Sequence, residues 1–403
     1  MARPKQKRIL AWGVLVLVAG ISLVLTGAAG RAQEIEDAVT LRGVYYREAS
    51  TRVVQPMIEV TKTLPRGYAL RGHALVDAVS SASIAQGALQ DEIFHEQRYE
   101  GALGLAKEIG PYGVSGFVRY SREPDYFSHT AGLGLSRQVW QNTGTVSVNL
   151  ALTHDDIEPP APLVPRDLDM FFAGVSYSQV LGPTTLAQVG YDLFFQTGFV
   201  GNPYISDPNL GREDLPDQRM RHALALRLAQ YFPAITGGLQ LHYRFYLDQE
   251  AFGSTEPWGL TAHTVEGRVY KSLGPDVEVR LAYRYHRQGS ADFWCNARPD
   301  NGGDLSCYGM TPSFHSWDVK FGNLATHLPE VKLTWELRLF RSVPFLRWFS
   351  EGAFELSYGY FFQSTPYGQK FTDTTAPPVI GTLPFSRSHG GAHLMQTGYS
   401  MPF

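Results

Sequence analysis

Between Arg221 and Arg338 the chain has several short stretches in which ionisable side chains share one alternate face and apolar ones the other. The alternating set is Arg221, Arg227, His242, Arg244, Asp248, Glu266, Arg268, Glu278, Arg280, Arg284, His286, Lys332, Glu336 and Arg338, eight Arg or Lys against four acids. Nothing in this spacing supplies a nucleophile with a base beside it. What a one-sided row of guanidiniums and carboxylates supplies is an electric field. Facing water, the basic excess concentrates anions. Facing one another, Arg and Glu pair across neighbouring positions, because a lone desolvated charge is costly. Both readings stay open from the residues alone, and the excess of base favours the first.

Two shorter groups could also carry chemistry. "SREPDYFSH" brings together Arg122, Glu123, Asp125, Ser128 and His129. That allows a Ser-His or Asp-His hydrolytic pair, although the spacing matches no nucleophile motif, and a charged turn held by its own side chains is the simpler reading. Cys295 and Cys307, with eleven residues between them in "CNARPDNGGDLSC", read as a disulfide stapling a loop rather than a metal or redox pair, since CxxC spacing is absent. Asp300 and Asp304 beside the Gly pair fit a turn better than a calcium site. His73, His95, His154, His222 and His263 are scattered, which argues against a built metal centre, and no cofactor is expected.

Rows of this kind need β-strands to position them, because strand side chains alternate with a period of two. "DVEVRLAYRYHRQ" puts Val277, Val279, Leu281, Tyr283 and Tyr285 on one face and Glu278, Arg280, Ala282, Arg284 and His286 on the other; "LQLHYRFYLD" and "VKLTWELRL" repeat the pattern. A soluble sandwich also alternates, but here the apolar faces end in aromatics, which suits the interface girdles of a transmembrane barrel. Short turns at 64–67, 109–113, 181–184, 232–237 and 273–276 take turns with long connections near 80–94, 155–168, 197–217, 291–327 and 364–391, the pattern of periplasmic turns and outer loops. Strands are expected at 38–48, 53–63, 68–78, 95–107, 113–122, 126–137, 144–154, 169–180, 185–196, 218–231, 237–249, 258–271, 276–289, 329–340, 352–363 and 392–403, sixteen in all, with 312–322 left to a long outer loop. The fold class is therefore all-β, a closed antiparallel transmembrane barrel, and the charged faces of strands ten to fourteen look into its lumen.

The N-terminus supports that location. Arg3, Lys5, Lys7 and Arg8 precede an apolar run from Ile9 to about Leu25, with small residues after it, the order of a cleaved signal peptide rather than of a retained anchor. Residues 1–32 are read as that peptide and 33–403 as the barrel, and with no Cys near the cut a lipoprotein is not supported. Removing five basic residues from 35 leaves 30 against 38 acidic ones, net −8, so nucleic acid is not an expected partner. No later apolar run is long enough for a spanning helix, and only helices and closed barrels satisfy their backbone in lipid.

The chain ends Gln396-Thr397-Gly398-Tyr399-Ser400-Met401-Pro402-Phe403. This resembles the C-terminal signal by which Gram-negative outer-membrane barrels are recognised for insertion, carried by Gln396, Gly398, Met401 and Phe403; Pro402 departs by removing a ladder donor, tolerable only next to the end. "LRGVYYREASTRVVQP", "HALVDAVSSASI", "VRYSREPDYFSH", "SYSQVLGPTTLAQVGYDL", "FVGNPY", "WGLTAHTVEGRVYKSLGPD" and "SADFW" resemble one uncharacterised family of such barrels, described as a domain of unknown function. The resemblance implies the fold, the outer membrane and its lipid, and the barrel-assembly machinery as partner. It implies no activity, and the lengthened loop "LDQEAFGSTEPWG" departs from the family pattern.

The resulting expectation is a porin-like channel or transporter barrel and not an enzyme. The alternative is a structural or binding barrel serving a periplasmic or surface partner, and a rim hydrolase comes third. Loop 80–94 discriminates the first two by folding inward or outward. For the cysteines, thiol labelling of purified unreduced protein should find none free, the closed loop contributing about 3 kcal/mol. Replacing both with Ser should loosen only the outer loop, whereas two labelled thiols would restore the metal or redox reading.

Overall fold

The computed structural model of the chain describes residues 37–48, 51–81, 94–160, 163–201, 206–207, 211–249, 258–294, 314–316, 318–364 and 391–403. The expected signal peptide, Cys295, Cys307, Asp300, Asp304 and residues 82–93 of the 80–94 loop lie outside the described residues.

Sixteen strands pair antiparallel into one closed ring. They are β1 (Ala38–Arg47), β2 (Thr51–Leu64), β3 (Tyr68–Ser81), β4 (Phe94–Ile109), β5 (Tyr112–Arg122), β6 (Tyr126–Val139), β7 (Gly144–Ile157), β8 (Arg166–Gly182), β9 (Thr185–Gly198), β10 (Gln218–Phe232), β11 (Gly237–Gln249), β12 (Thr261–Ser272), β13 (Val277–Gln288), β14 (Leu324–Glu336), β15 (Ala353–Ser364) and β16 (Ala392–Pro402). A two-residue hairpin, Ser206–Asp207 with Gly211–Arg212, stands outside the ring.

Ladder register turns the sequence alternation into two surfaces. Leu103, Val118, Ala131, Leu152 and Phe171 stand opposite one another on five successive strands, and Leu103, Val118 and Leu152 are more than half exposed. An apolar belt of this extent is tolerable only against lipid. Toward the long-loop end the belt gains polar handles. The Nδ1 atoms of His222, His263, His327 and His393 lie 2.6, 2.9, 2.7 and 2.8 Å from the hydroxyls of Tyr191, Tyr243, Tyr283 and Tyr358. Each ring pair presents an apolar body in which the Tyr hydroxyl and His Nδ1 satisfy one another, as suits a membrane–water boundary.

One strand departs from expectation. The alternation of "VKLTWELRL" predicts a strand over 329–340, but β14 spans Leu324–Glu336 and the chain then coils into two 3-10 turns, Leu337–Ser342 and Pro344–Phe349. Leu337 is buried and its N–H donates to Gly352 O at 3.0 Å, while Pro344 has no N–H to give a ladder. Arg338 therefore leaves the barrel wall for the short-turn rim, where it pairs with Glu336 and lies 3.8 Å from Asp276. The coiled segment rests against the outer face of the last strand: Phe349 stacks on Tyr399 at 4.2 Å, and the Tyr399 hydroxyl donates to Phe349 O at 3.1 Å. Phe345 and Trp348 remain largely exposed beside Arg341 and Arg347, an amphipathic foot at interface depth.

The ring closes where β1 meets β16, in register from Ala38 opposite Pro402 to Arg47 opposite His393. Pro402 costs little because it occupies the last pair. Phe403 donates its N–H to Asp37 O at 2.9 Å and carries the Lys62 ammonium 4.5 Å above its ring. Lys62 in turn pairs with Asp37 at 2.5 Å, which holds the Asp37 carboxyl below its usual range. Deleting Phe403, or Phe403→Asp, should leave the protein made and exported but not inserted. Heat-modifiable mobility on an unboiled gel reads this, and wild-type folding of the deletion in cells would sink the signal reading.

Candidate functional site

Inward parity on β10 to β14 brings together Arg219, Arg221, Arg227, His242, Arg244, Asp248, Glu266, Arg268, Glu278, Arg280, Arg284, His286, Glu330, Lys332 and Glu336. Every residue of the expected wall is in it except Arg338. Arg219 and Glu330 join it; each shares the parity of a recognised neighbour, Arg221 and Lys332, and that parity was the signal that could have found them. Half of the basic residues are neutralised: Arg219 by Asp248 at 2.6 Å, Arg268 by Glu266, Arg280 by Glu330, and Lys332 by Glu355 of β15 at 2.6 Å. Arg221, Arg227, Arg244 and Arg284 have no carboxylate within ion-pair distance among the described residues. The wall is thus a paired network with four guanidiniums left over.

At the long-loop end this wall is roofed. Connections β9–β10, β11–β12 and β13–β14 contribute Leu215, Trp258, Leu260, Ala291, Phe293 and Phe321 to one apolar core, with Tyr246 of the wall packed against it. Arg219 joins the roof to the wall. Its guanidinium stacks 4.4 Å from the Trp258 ring and bonds Asp248, which also accepts from the Tyr246 hydroxyl at 2.7 Å. Trp258 Nε1 donates to Gln218 O at 2.7 Å.

Across the lumen the sign reverses. Strands β3 to β7 and the β5–β6 turn turn inward seven carboxylates (Asp77, Glu96, Glu100, Glu108, Glu123, Asp125, Asp155) but three guanidiniums (Arg71, Arg98, Arg119). Their middle strand, β5, is seven places from β12 in a ring of sixteen, so the two walls face each other. Arg119 pairs with Glu100 at 2.9 Å and Arg98 reaches Asp77 at 3.6 Å. Tyr126 donates its hydroxyl to Asp155 at 2.5 Å. Burial, with Asp125 and Asp77 adding to it against the pull of Arg98, pushes the Glu123 carboxyl up to about 7. This wall escaped sequence reasoning because its members come from separate strands and only register assembles them.

The "SREPDYFSH" group divides at the strand. Ser128 and Asp125 are buried on the inner side, whereas His129 points outward with its ring 5.0 Å from that of Tyr120. Neighbouring strand residues take opposite faces, so neither a Ser128–His129 nor an Asp125–His129 pair can form, and the rim-hydrolase reading fails at this site. Arg122 is also outward, 5.4 Å from the Phe127 ring.

A closed, antiparallel sixteen-strand barrel with an apolar belt outside and charge within defines the class of integral outer-membrane β-barrel proteins. The chain is similar to several solved structures. CdiB from Acinetobacter baumannii matches at 11% identity and TM-score 0.50, over 91% of this chain and 60% of that one, so the chain spans about three fifths of CdiB's length. A bacterial polysaccharide outer membrane secretin matches at 7% and 0.48, over 91% and 98%, and OprD of Pseudomonas aeruginosa at 8% and 0.42, over 94% and 97%. No curated protein sequence matches the chain. Residues 79–171 and 167–343 match the family described as protein of unknown function (DUF3570). The matches cover more than half of the chain, and the protein belongs to that family of outer-membrane barrels.

Asp248 is almost fully buried, and its removal strands the Arg219 charge under the roof. Asp248→Ala should destabilise the barrel's extracellular end by about 3–5 kcal/mol, seen as faster proteolysis of the β9–β10, β11–β12 and β13–β14 connections with little change at the periplasmic turns. The double variant Asp248→Ala with Arg219→Leu should recover most of the loss.

Proposed function

We propose that this protein is a non-enzymatic, channel- or transporter-like barrel of the outer membrane whose lumen favours anions. It is made with a cleaved leader, residues 1–32, and inserted as 33–403 by the barrel-assembly machinery, which reads the end at Gln396, Gly398, Met401 and Phe403. The observation that carries the reading is the set of four inward guanidiniums, on Arg221, Arg227, Arg244 and Arg284, without carboxylate partners among the described residues. Such groups attract small anions into a low-dielectric passage, and a barrel of sixteen strands has room for one. The acidic wall opposite adds a transverse component to the field, which orients a solute that carries both charge and dipole.

The roof over the basic wall favours a second reading, in which the barrel is closed there and serves to present its extracellular surface to a partner. Planar-bilayer recording separates the two. The channel reading expects conductance steps with anion preference. Arg227→Glu with Arg284→Glu should shift the reversal potential toward cations, more strongly in dilute salt, because at about 0.1 M a fixed charge is felt over only about 10 Å. No steps at any salt concentration would give the lead to the closed, partner-binding barrel.

A further inference from the structure

At the extracellular end of the acidic wall the β5–β6 turn holds Glu123 and Asp125, and β4 brings Glu96 against them. One carboxylate oxygen from each lies within 4.8 Å of the other two. The three side chains are 5, 6 and 1% exposed for Glu96, Glu123 and Asp125. The turn is fixed by its own backbone: Glu123 N–H donates to Tyr126 O at 2.7 Å, and Glu158 N–H to Asp125 O at 2.8 Å.

Glu96 is the independent observation that asks for a ligand. Neither of its carboxylate oxygens has a hydrogen-bond partner among the described residues, and the two carboxylates it faces offer further acceptors. Arg98, the guanidinium that pulls on Glu123, already leans on Asp77 at 3.6 Å. A buried Glu96 with neither oxygen partnered among the described residues, turned toward two further carboxylates, calls for a small cation with hard oxygen preference. Calcium takes such ligands at about 2.3–2.6 Å and completes its shell with backbone carbonyls and water. We propose that Glu96, Glu123 and Asp125 bind a divalent cation of the calcium class, tying strand β4 to the β5–β6 turn at the extracellular mouth. The site stands whether or not the lumen conducts.

The test uses the purified full-length barrel in detergent, stripped with chelator and titrated with calcium chloride alone by calorimetry. Terbium luminescence sensitised through Tyr126 gives a second readout. The expected result is one ion per chain with Kd of about 10⁻⁴–10⁻³ M, the range of extracellular sites, and a rise in thermal midpoint on saturation. Glu96→Gln and Asp125→Asn, shown to be folded by heat-modifiable mobility, should each weaken binding by at least about tenfold. Without calcium, Glu96→Gln should be at least as stable as the parent, because it removes an uncompensated buried charge; with calcium the order should reverse. Absence of saturable binding up to about 10 mM, well above that range, would overturn the proposal. So would variants that bind like the parent, or a stability gain in Glu96→Gln that calcium leaves untouched, as a proton shared among the carboxylates would give.

Discussion

Backbone hydrogen bonding in lipid is the constraint on which everything else in this molecule rests. A spanning strand finds no water to satisfy its N–H and C=O groups, so every strand must have two neighbours and the sheet must end where it began. The ten-residue register between β1 and β16 supplies that last pair of neighbours. Closure then dictates the chemistry of both surfaces. Alternate side chains meet hydrocarbon and must be apolar, and the remaining half are enclosed together in the lumen whatever their charge.

Enclosure explains the ion pairs inside. Arg268 with Glu266 pairs along one strand, and Arg280 with Glu330 and Lys332 with Glu355 join adjacent strands, because an isolated charge enclosed there would be costly. What pairing leaves over is unequal on the two sides: guanidiniums on β10 to β13, carboxylates on β4, β7 and the β5–β6 turn. Because the two arcs oppose each other, the residual charge forms a field across the lumen and not a uniform lining. The roof leans on the basic arc, through Arg219 and Trp258, and the carboxylate cluster lies at the mouth of the other.

Most of the fold was legible because period-two alternation is a local property. The faces of "DVEVRLAYRYHRQ" are those of β13 residue for residue, and turns such as "LGPD", with Gly274 at φ 90°, announce themselves in four residues. Alternation cannot announce its own end. "WELRLF" keeps the rhythm through Leu337 and Leu339, yet the chain has left the sheet by then, which misplaced Arg338. The basic wall was legible since its residues crowd neighbouring strands of the sequence. Its counterpart was not, because Asp77, Glu96 and Glu123 are nearly twenty residues or more apart and meet only through register. "SREPDYFSH" drew notice for a Ser-His or Asp-His pair, when Ser128, Asp125 and Glu123 face inward and His129 faces out.

The foot after β14 also bears on the order of assembly. Closing the ring brings together Thr40 and Ser400, 360 residues apart, whereas the stacking of Tyr399 on Phe349 spans only fifty. Loop-closure entropy grows slowly but steadily with separation, so docking the last strand on β15 and on the foot costs less chain entropy than docking it on β1. The foot thus anchors the end of β16 through a contact of much shorter loop closure than the seam it precedes.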